Sequence, residues 1–373
     1  MFWVLTGIGA VVVLLIQLVY LIFLDLILQK KSTVPMASGQ PSVSVIVCAR
    51  NEAHHLNHRL RALLEQAYPD YEVIVVDDDS TDDTSRVIAD LQATYPHLRY
   101  HRLVSAEKVF PGKKGALVAG VTVAAHDVLL FTDADCVPAS PYWIEQMVTA
   151  MDSGISIVVG SGPYEPRPGA LNAFIRAETL LSFLNIKAFH QLGVHYMAVG
   201  RNLCVRKALF QQVAQNPLWT RTLSGDDDML MRIGATAHNV AVVSLGEAHV
   251  YSPSQPHLNA YIRQKQRHLS TGKYYRWPVK ILLATLSATH TLSWLLVPCI
   301  LLGLWLDAAW YGFAAGALCI VRLLFFAGIF SRQARCYNTP FTFGQLLGFD
   351  AGYALYPLFF APYIFWKNKS QWN

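Results

Sequence analysis

Four long apolar runs divide the sequence, one at the N-terminal end and three near the C-terminal end. They are Phe2–Leu28, Ile281–Leu306, Trp310–Phe330 and Leu346–Trp366. Each run reaches the ~20 residues that a helix needs to cross the hydrocarbon core of a bilayer. The first run lacks a basic leader and is too long for the apolar region of a cleaved signal peptide, so we interpret it as an anchor. The pattern predicts a multi-pass membrane protein.

The segment between these runs has a different pattern, in which short apolar strands alternate with helical segments. The predicted strands are Ser42–Ala49, Glu72–Val76, Tyr100–Val104, Val128–Phe131 and Ile155–Val159. The predicted helices are residues 50–67, Asp83–Tyr95, Ala116–Ala125, Leu171–Leu184 and Met229–Ile233. This alternation is typical of an α/β fold, a mostly parallel sheet with helices on both faces. We expect one such domain over residues 41–275, after a membrane helix over 1–30 and before membrane or interfacial helices over 280–370.

Basic residues border the central domain on both sides and predict its orientation. They are Lys30, Lys31, Lys273, Arg276 and Lys280. Because such flanks stay on the cytoplasmic side, we expect the domain at the cytoplasmic face of the cell's inner membrane. Lys367 and Lys369 predict a cytoplasmic C-terminus as well, which four full crossings do not allow. One apolar segment is therefore expected to be re-entrant or interfacial, and Leu346–Trp366, with two prolines, is our candidate.

The net charge of +5 and the six cysteines restrict the function classes. A modest positive charge suits a domain that lies against anionic lipid headgroups. The basic stretches lack the interleaved aromatic residues of nucleic-acid-binding proteins, so no nucleic acid partner is expected. The cysteines show no paired spacing, which is typical of reduced cysteines in the cytoplasm.

An acidic pair follows the strand Val128–Phe131. Asp133 and Asp135 stand two residues apart, so their side chains project to the same side. Two carboxylates so placed repel each other unless a cation lies between them, and a hard divalent ion, Mg²⁺ or Mn²⁺, suits oxygen ligands. An isolated pair of this kind is more often an acidic turn, so the interpretation depends on the rest of the chain.

Three further polar clusters lie at predicted strand or helix ends. Five acids fall within Asp77–Asp83, two lysines within Gly112–Gly115, and three acids within Ser224–Asp228. Helix capping accounts for part of this charge, and a solvated basic turn remains an alternative for the lysines. In open α/β sheets, however, ligands bind at the carboxyl ends of the strands, and helix N-termini bind phosphate. The clusters indicate a phosphate-containing ligand. A fourth segment, His257–Ser270, is a predicted amphipathic helix before the membrane runs.

Taken in order, these motifs resemble the membrane-bound glycosyltransferases of family 2, which have the GT-A fold. The motifs are S-V-I-V-C-A-R-N-E, V-V-D-D-D-S-T-D-D-T, G-K-K-G-A-L, T-D-A-D, G-R-N-L, G-D-D-D-M-L-M-R and Q-K-Q-R-H, within Ser42–Ser270. Each motif alone is weak, and their order makes the resemblance specific. It implies a Rossmann-like, mostly parallel GT-A domain joined to transmembrane helices.

The resemblance also implies how the sugar donor and the metal are bound. The positions that would hold the nucleotide part of the donor are Arg50, Glu52, Asp77, Asp78 and Lys113. Asp133 and Asp135 would bind Mg²⁺ or Mn²⁺. The donor is a nucleotide-diphosphate sugar, for which we favour a UDP-sugar.

The remaining implied positions concern the acceptor. Asp226 matches the general base, and Asp227 stays an alternative because Gly225 replaces the acid that usually precedes the base. The positions near the acceptor and the diphosphate are Gly200, Arg201, Asn202, Gln264, Arg267 and His268. His268 stands where the family usually has Trp, which disfavours a processive role.

These observations predict an inverting transferase that moves a sugar from a nucleotide-diphosphate sugar to the hydroxyl of a lipid acceptor at the membrane. Two alternatives remain. One is a processive polysaccharide synthase, and the other is a non-catalytic membrane protein that binds nucleotide sugars. A transporter is disfavoured, because the charges within the apolar runs are few and show no repeated pattern.

Overall fold

The computed structural model describes residues 2–30, 39–152, 154–222, 224–299 and 310–365. These residues form two compact units, which we call the sheet unit and the helical unit. The sheet unit contains the described residues of 39–165 and 189–256. The helical unit contains those of 2–30, 166–188 and 257–365.

A seven-stranded sheet forms the centre of the sheet unit, with strand order β3-β2-β1-β4-β7-β6-β8. Its strands are β1 (Val43–Ala49), β2 (Tyr71–Asp77), β3 (Leu98–Arg102), β4 (Val128–Asp133), β6 (Ile157–Gly160), β7 (Leu203–Arg206) and β8 (Val240–Val243). Strand β7 runs antiparallel to both of its neighbours, and the other pairs are parallel. Two short strands, β5 (Val137–Pro138) and β9 (Val250–Tyr251), pair antiparallel beside this sheet.

Seven helices belong wholly to the described part of the sheet unit. They are α2 (Ala53–Leu64), α3 (Thr84–Gln92), α4 (Lys113–Val123), α5 (Trp143–Val148), α7 (Lys207–Ala214), α8 (Pro217–Arg221) and α9 (Asp226–Gly234). Every residue of β1 is buried, which explains why that strand is apolar except for Ser44. Helix α4 packs on β1 and β2 at Gly120, where an added Cβ would lie 2.7 Å from Ile46 Cγ2.

The helical unit contains α1 (Phe2–Gln29), most of α6 (Ala170–His190), α10 (Leu258–Leu269), α11 (Trp277–Leu295), α12 (Trp310–Cys336) and α13 (Phe343–Phe365). Helix α1 packs against α11 and α12, and α13 packs against α10, α11 and α12. Among the residues that the structure describes, three segments are long and apolar enough to cross a membrane: Gly7–Gln29, Trp277–Cys299 and Phe313–Cys336. The predicted run Ile281–Leu306 ends outside the described residues, as does the last residue of Leu346–Trp366.

The predicted mostly parallel α/β sheet is confirmed, with differences in detail. The antiparallel direction of β7 was not predicted, because a short apolar run carries no signal for strand direction. The strand predicted at Tyr100–Val104 begins two residues earlier, at Leu98. Helix α9 begins at Asp226 rather than Met229, so the acids of this motif lie inside its first turn.

Candidate active site

The acidic residues of the sheet unit converge at the carboxyl ends of three neighbouring strands. In the register of the sheet, Ala49 at the end of β1 pairs with Asp77 at the end of β2. On the other side of β1, Cys48 pairs with Asp133 at the end of β4. The strand order reverses between β1 and β4, and open α/β sheets bind their ligands at such a switch point.

Asp133, Asp135 and Cys136 form a group with ligand atoms within 4.8 Å of one another. Burial raises the pKa of Asp135, and the neighbouring charge of Asp133 raises it further. Burial, together with the charges of Asp135 and Asp133, also raises the pKa of Glu52 to about 7. Asp133 thus raises the pKa of both neighbouring carboxyl groups, and carboxyl groups crowded in this way mark a place where a cation would be stabilised. The residues therefore fit a divalent metal ion with oxygen ligands.

Lys113 stands beside this group at the start of α4, after Gly112 with a φ of 67°. Its ammonium group forms an ion pair with the Asp133 carboxylate. Burial lowers the pKa of Lys113, but the carboxylates of Asp133 and Asp226 outweigh that effect, so the pKa is raised overall. Lys113 is therefore close to both the candidate metal-binding acid and the candidate base.

The Cys48 thiol, near the end of β1, is influenced by charged groups from several loops of the sheet unit. Burial raises the pKa of this thiol to about 12; Lys113 lowers it, while Asp133, Asp226 and Asp78 raise it. These four charged groups therefore lie close enough to the end of β1 to act on the Cys48 thiol. The sequence had predicted a shared crevice for acids as far apart in the chain as Asp78 and Asp226, and the structure brings them together.

The loops after β1 and β2 are bound to each other. Asn51, whose φ is 56°, accepts a hydrogen bond from the Thr81 amide at 2.8 Å. The Glu52 amide donates to Thr84 Oγ1 at 3.1 Å. Arg50 is exposed on the same loop. This linkage fixes the predicted donor-binding residues of both loops against one another.

Asp77 and Asp78 are buried and already have protein partners. The Asp77 carboxylate accepts hydrogen bonds from the Ser80 amide at 2.9 Å and the Tyr100 hydroxyl at 2.7 Å. The Asp78 carboxylate forms an ion pair with Lys108. Asp77 therefore stabilises the loop after β2, and Lys108 is a further charged residue near the crevice.

Asp226 and Asp227 differ in their surroundings. Asp226 is the first residue of α9, after Gly225, whose φ of 72° is left-handed. The Asp227 carboxylate accepts hydrogen bonds from the Gly200 amide and the Asp228 amide, both at 3.0 Å. Burial, with the charge of Asp226, raises the pKa of Asp227 to about 6. Asp227 holds the Gly200 loop, which leaves Asp226 as the better candidate base.

Lys114 points away from the crevice, unlike its neighbour Lys113. The residue is 2% exposed, and its ammonium group donates to the Trp219 carbonyl at 2.6 Å and the Thr222 carbonyl at 2.7 Å. It also contacts Thr222 Oγ1 and lies 4.5 Å from the centre of the Trp219 ring. Lys114 thus fixes the segment that ends four residues before Asp226.

The three residues of the Gly200-Arg201-Asn202 motif have different environments. The Arg201 guanidinium lies over the Tyr164 ring at 4.6 Å and donates to the Gly162 carbonyl. The Asn202 side chain is fully buried. Its side-chain oxygen accepts a hydrogen bond from the Trp143 indole at 3.0 Å, and its side-chain nitrogen donates to the carbonyls of Ser161 and Ala248, each at 2.7 Å. Asn202 therefore stabilises the fold beneath the motif.

Gln264, Arg267 and His268 lie on α10, which belongs to the helical unit. Their contribution to the crevice stays a prediction. Sequence reasoning missed Lys108 and the separate role of Lys114. A lone lysine in an irregular segment gives no signal for Lys108, whereas the adjacency of Lys113 and Lys114 on a helix indicates that the two side chains face different directions.

Comparison with known proteins places these motifs in context. The profile described as "Glycosyl transferase family 2" matches residues 44–212. Glycosyltransferase AglE of Haloferax volcanii is 31% identical over 196 residues, which are 52% of this chain and 60% of that protein. Beta-monoglucosyldiacylglycerol synthase of Trichormus variabilis is 33% identical over 107 residues, 28% of this chain and 22% of that protein. The chain thus spans less than two thirds of the length of these relatives.

One solved structure is similar over nearly the whole chain. It is the mannosyltransferase PcManGT from Pyrobaculum calidifontis, in complex with GDP-Man and Mn²⁺, with a TM-score of 0.56 and 19% identity. The match covers 95% of this chain and 97% of that one. A likeness at this identity shows a shared fold, and the predicted GT-A fold is confirmed.

Proposed function

We propose that this chain, of which residues 44–212 match the glycosyl transferase family 2 profile, transfers a sugar from a nucleotide-diphosphate sugar to the hydroxyl of a membrane lipid. The observation that carries the proposal is the convergence of Asp78, Lys113, Asp133 and Asp226 around the end of β1. Together with Asp135, this arrangement would supply a metal-binding pair, a cation for the phosphates and a base within one crevice.

Asp226 is proposed as the base that removes the proton of the acceptor hydroxyl. The hydroxyl oxygen then forms a bond to the anomeric carbon while the bond from that carbon to the diphosphate breaks. The nucleoside diphosphate leaves from the opposite face, so the anomeric configuration inverts. Lys113, which pairs with Asp133 and is influenced by the charge of Asp226, would stabilise the negative charge of the leaving group.

Asp133 and Asp135 are the proposed ligands of a divalent ion, Mg²⁺ or Mn²⁺. When bound, the ion neutralises the diphosphate and makes it a better leaving group. The fit rests on the crowded carboxyl groups of Glu52, Asp133 and Asp135. The Mn²⁺ in the PcManGT complex is consistent with this assignment.

The lipid acceptor is proposed from two features. Three segments of the helical unit could cross a membrane, which would keep the protein at a bilayer. One of the relatives is named a beta-monoglucosyldiacylglycerol synthase, an enzyme whose product is a glycolipid. Gln264, Arg267 and His268 on the amphipathic α10 would then contact the acceptor or the diphosphate.

A transfer assay tests the proposal directly. The purified full chain, in phospholipid vesicles with Mg²⁺ or Mn²⁺, is incubated with a panel of radiolabelled UDP-sugars and GDP-mannose. We expect label from one donor to enter the lipid extract. Label in a polymer would instead support the synthase alternative, and donor binding without transfer would support the non-catalytic one.

Two variants then separate the proposed roles. Asp226→Asn should abolish transfer while nucleotide binding persists, because the amide cannot accept the proton. Asp135→Ala should remove the metal-dependent part of nucleotide binding. Asp90→Asn, an exposed change on α3, serves as the control. Equal loss of nucleotide binding in the Asp226 variant would argue against a base at that position.

A further inference from the structure

A partly buried arginine stands beside the acidic pair of the candidate active site. In the antiparallel register of β4 and β7, Phe131 pairs with Leu203. Asp133 comes two residues after Phe131. Arg201 comes two residues before Leu203. Because antiparallel strands run in opposite directions, Asp133 and Arg201 both lie just beyond the same end of this strand pair. The register therefore places Arg201 next to the end of β4 that carries Asp133.

The charges of Arg201 and the acidic pair influence one another. Burial lowers the pKa of Arg201, but four neighbouring groups outweigh this effect and raise it overall: Tyr164, Cys136, Asp133 and Asp135. Burial and the charge of Asp133 raise the pKa of Asp135, and Arg201 acts against both. An arginine side chain stays charged throughout the pH range in which proteins function. Arg201 is thus a permanent positive charge within electrostatic reach of both proposed metal ligands.

The guanidinium is held in place by the segment 161–165 of the same unit. It lies over the Tyr164 ring at 4.6 Å and donates to the Gly162 carbonyl. A Cβ at Gly162 would lie 2.7 Å from Arg201 Nε, so the absence of a side chain there makes room for the guanidinium. The main chain at Tyr164 forms a bridge to Ser252, directly after β9. Arg201 therefore has a defined place near the acidic pair.

A fixed positive charge has opposite effects on the two ligands proposed for this site. It repels a divalent cation and attracts a diphosphate. Asp133 is already paired with the Lys113 ammonium group, so the acidic pair has two protein cations nearby before any ligand binds. Other acids of the crevice change its total charge, but they do not change the sign of the contribution from Arg201. This side chain therefore disfavours the free ion and favours the nucleotide diphosphate.

We propose that Arg201 sets the order of binding at this site, with the nucleotide diphosphate before the divalent ion. Arg201 weakens binding of the ion when no nucleotide is present, and it strengthens binding of the nucleotide when no ion is present. The diphosphate then supplies negative charge that offsets Arg201 and favours the ion. This inference rests on the donor and metal sites of the function proposed above, and it assigns Arg201 to the diphosphate rather than to the acceptor.

Titrations of the unaltered full chain, purified in detergent micelles, test the order. Binding of Mn²⁺ without nucleotide is measured by electron paramagnetic resonance, and only the part of the signal that Asp135→Ala removes is counted. Binding of UDP and of GDP without metal is measured by calorimetry in EDTA. We expect one nucleotide to bind in EDTA, and Mn²⁺ to bind at least about tenfold more tightly with that nucleotide than without it. Tight binding of Mn²⁺ alone, with no nucleotide binding in EDTA, would reverse the order and overturn the inference.

A matched pair of variants tests the role of Arg201 itself. Arg201→Met should lower the Kd for Mn²⁺ alone and raise the Kd for the nucleotide alone, each by about tenfold. Arg201→Lys keeps the charge and should stay close to the unaltered chain. Arg206, at the other end of β7, donates to the Asp152 carbonyl at 3.1 Å, and Arg206→Met should leave both constants unchanged. Loss of structure would weaken both ligands, so shifts of Arg201→Met in the same direction, or no shifts, would overturn its role.

The outcomes also separate this inference from the proposed function. If both Kd values shift as expected but no sugar is transferred, the transfer proposal fails and the binding order stands. If sugar is transferred but the two Kd values of Arg201→Met shift together, only the role of Arg201 fails. Binding of neither nucleotide, with or without Mn²⁺, would contradict both. Thermal melting checks that the variants fold, and if Arg201→Met does not, the titrations of the unaltered chain decide.

Discussion

Lys113 and Lys114 are neighbours in the sequence, but their ammonium groups hold different parts of the candidate site. Lys113 pairs with Asp133 at the end of β4. Lys114 holds the carbonyls of Trp219 and Thr222, at the end of the short helix α8. The first turn of α4 therefore connects the proposed metal-binding acids with the segment that leads to Asp226.

The first prediction concerns the role of Lys114 in positioning Asp226. Lys114→Met removes the three donors that hold the segment before the base. We expect kcat to fall by at least about tenfold, or about 1.4 kcal/mol in activation free energy, while the Kd for the nucleotide stays unchanged. Steady-state kinetics and nucleotide titration of the full chain measure the two quantities.

Lys207 provides a matched control for this prediction. Its ammonium group donates to the Ala124 carbonyl at 2.7 Å, and its main-chain amide donates to the Asp127 carbonyl. Asp127 directly precedes β4, so Lys207 lies at the amino end of that strand, opposite the end that carries Asp133. Lys207→Met should lower thermal stability without changing kcat. An equal fall in kcat for both variants would show that the effect is general destabilisation.

The pH profile gives a second measure of the same role. Burial lowers the pKa of Lys114 to about 8, against the attraction of Asp226 and Asp227. The ammonium form therefore predominates below about pH 8, and above it one of the three donors is lost. The kcat of the unaltered chain should decline as the pH rises through this value, and Lys114→Met should lack that decline.

At the scale of elements, the contact between α4 and the sheet sets the position of both lysines. A Cβ at Gly120 would lie 2.7 Å from Ile46 Cγ2 and 3.0 Å from Val76 Cγ2. Both neighbours are β-branched residues in central strands and have little rotational freedom. The absence of a side chain at Gly120 therefore determines how closely α4 approaches β1 and β2.

The second prediction follows from this contact. Gly120→Ala should destabilise the sheet unit by about 1–2 kcal/mol, because overpacking outweighs the gain in helix propensity. Thermal melting of the full chain measures the change. Gly154→Ala is the control, since its nearest heavy atom would be Asp152 Oδ1 at 3.6 Å. An unchanged melting temperature for Gly120→Ala would show that α4 can shift without cost.

The elements of the sheet could be predicted from the sequence because β1, β2 and β4 are short, mostly apolar runs, of which β2 and β4 end in acids. Their register could not be predicted in detail. The strand–helix alternation was nevertheless enough to predict parallel strands whose carboxyl ends lie together. The direction of β7 depends on contacts between residues far apart in the chain, which local patterning does not encode. For the same reason, the buried amide of Asn202 could not be distinguished from a ligand contact.

At the scale of the whole molecule, charge and hydropathy predict the side of the membrane on which the sheet unit lies. Lys30 and Lys31 follow the first apolar run, and Lys273, Arg276 and Lys280 border the second. Basic residues next to membrane segments are retained on the cytoplasmic side. The donor of the proposed reaction would have to be present on that same side.

The third prediction is that residues of the sheet unit are inaccessible from outside the cell. Asp90 is exposed on α3, so Asp90→Cys introduces a reactive thiol there. Cys336 is exposed as well and is replaced by Cys336→Ser, while Cys48, Cys136 and Cys204 are buried. A maleimide that cannot cross membranes should label the thiol at position 90 only after the cells are opened. The chain with Cys336→Ser alone gives the background, and equal labelling of intact and opened cells would place the sheet unit outside. In that case the basic flanks would not have set the orientation, and a cytoplasmic nucleotide sugar could not be the donor.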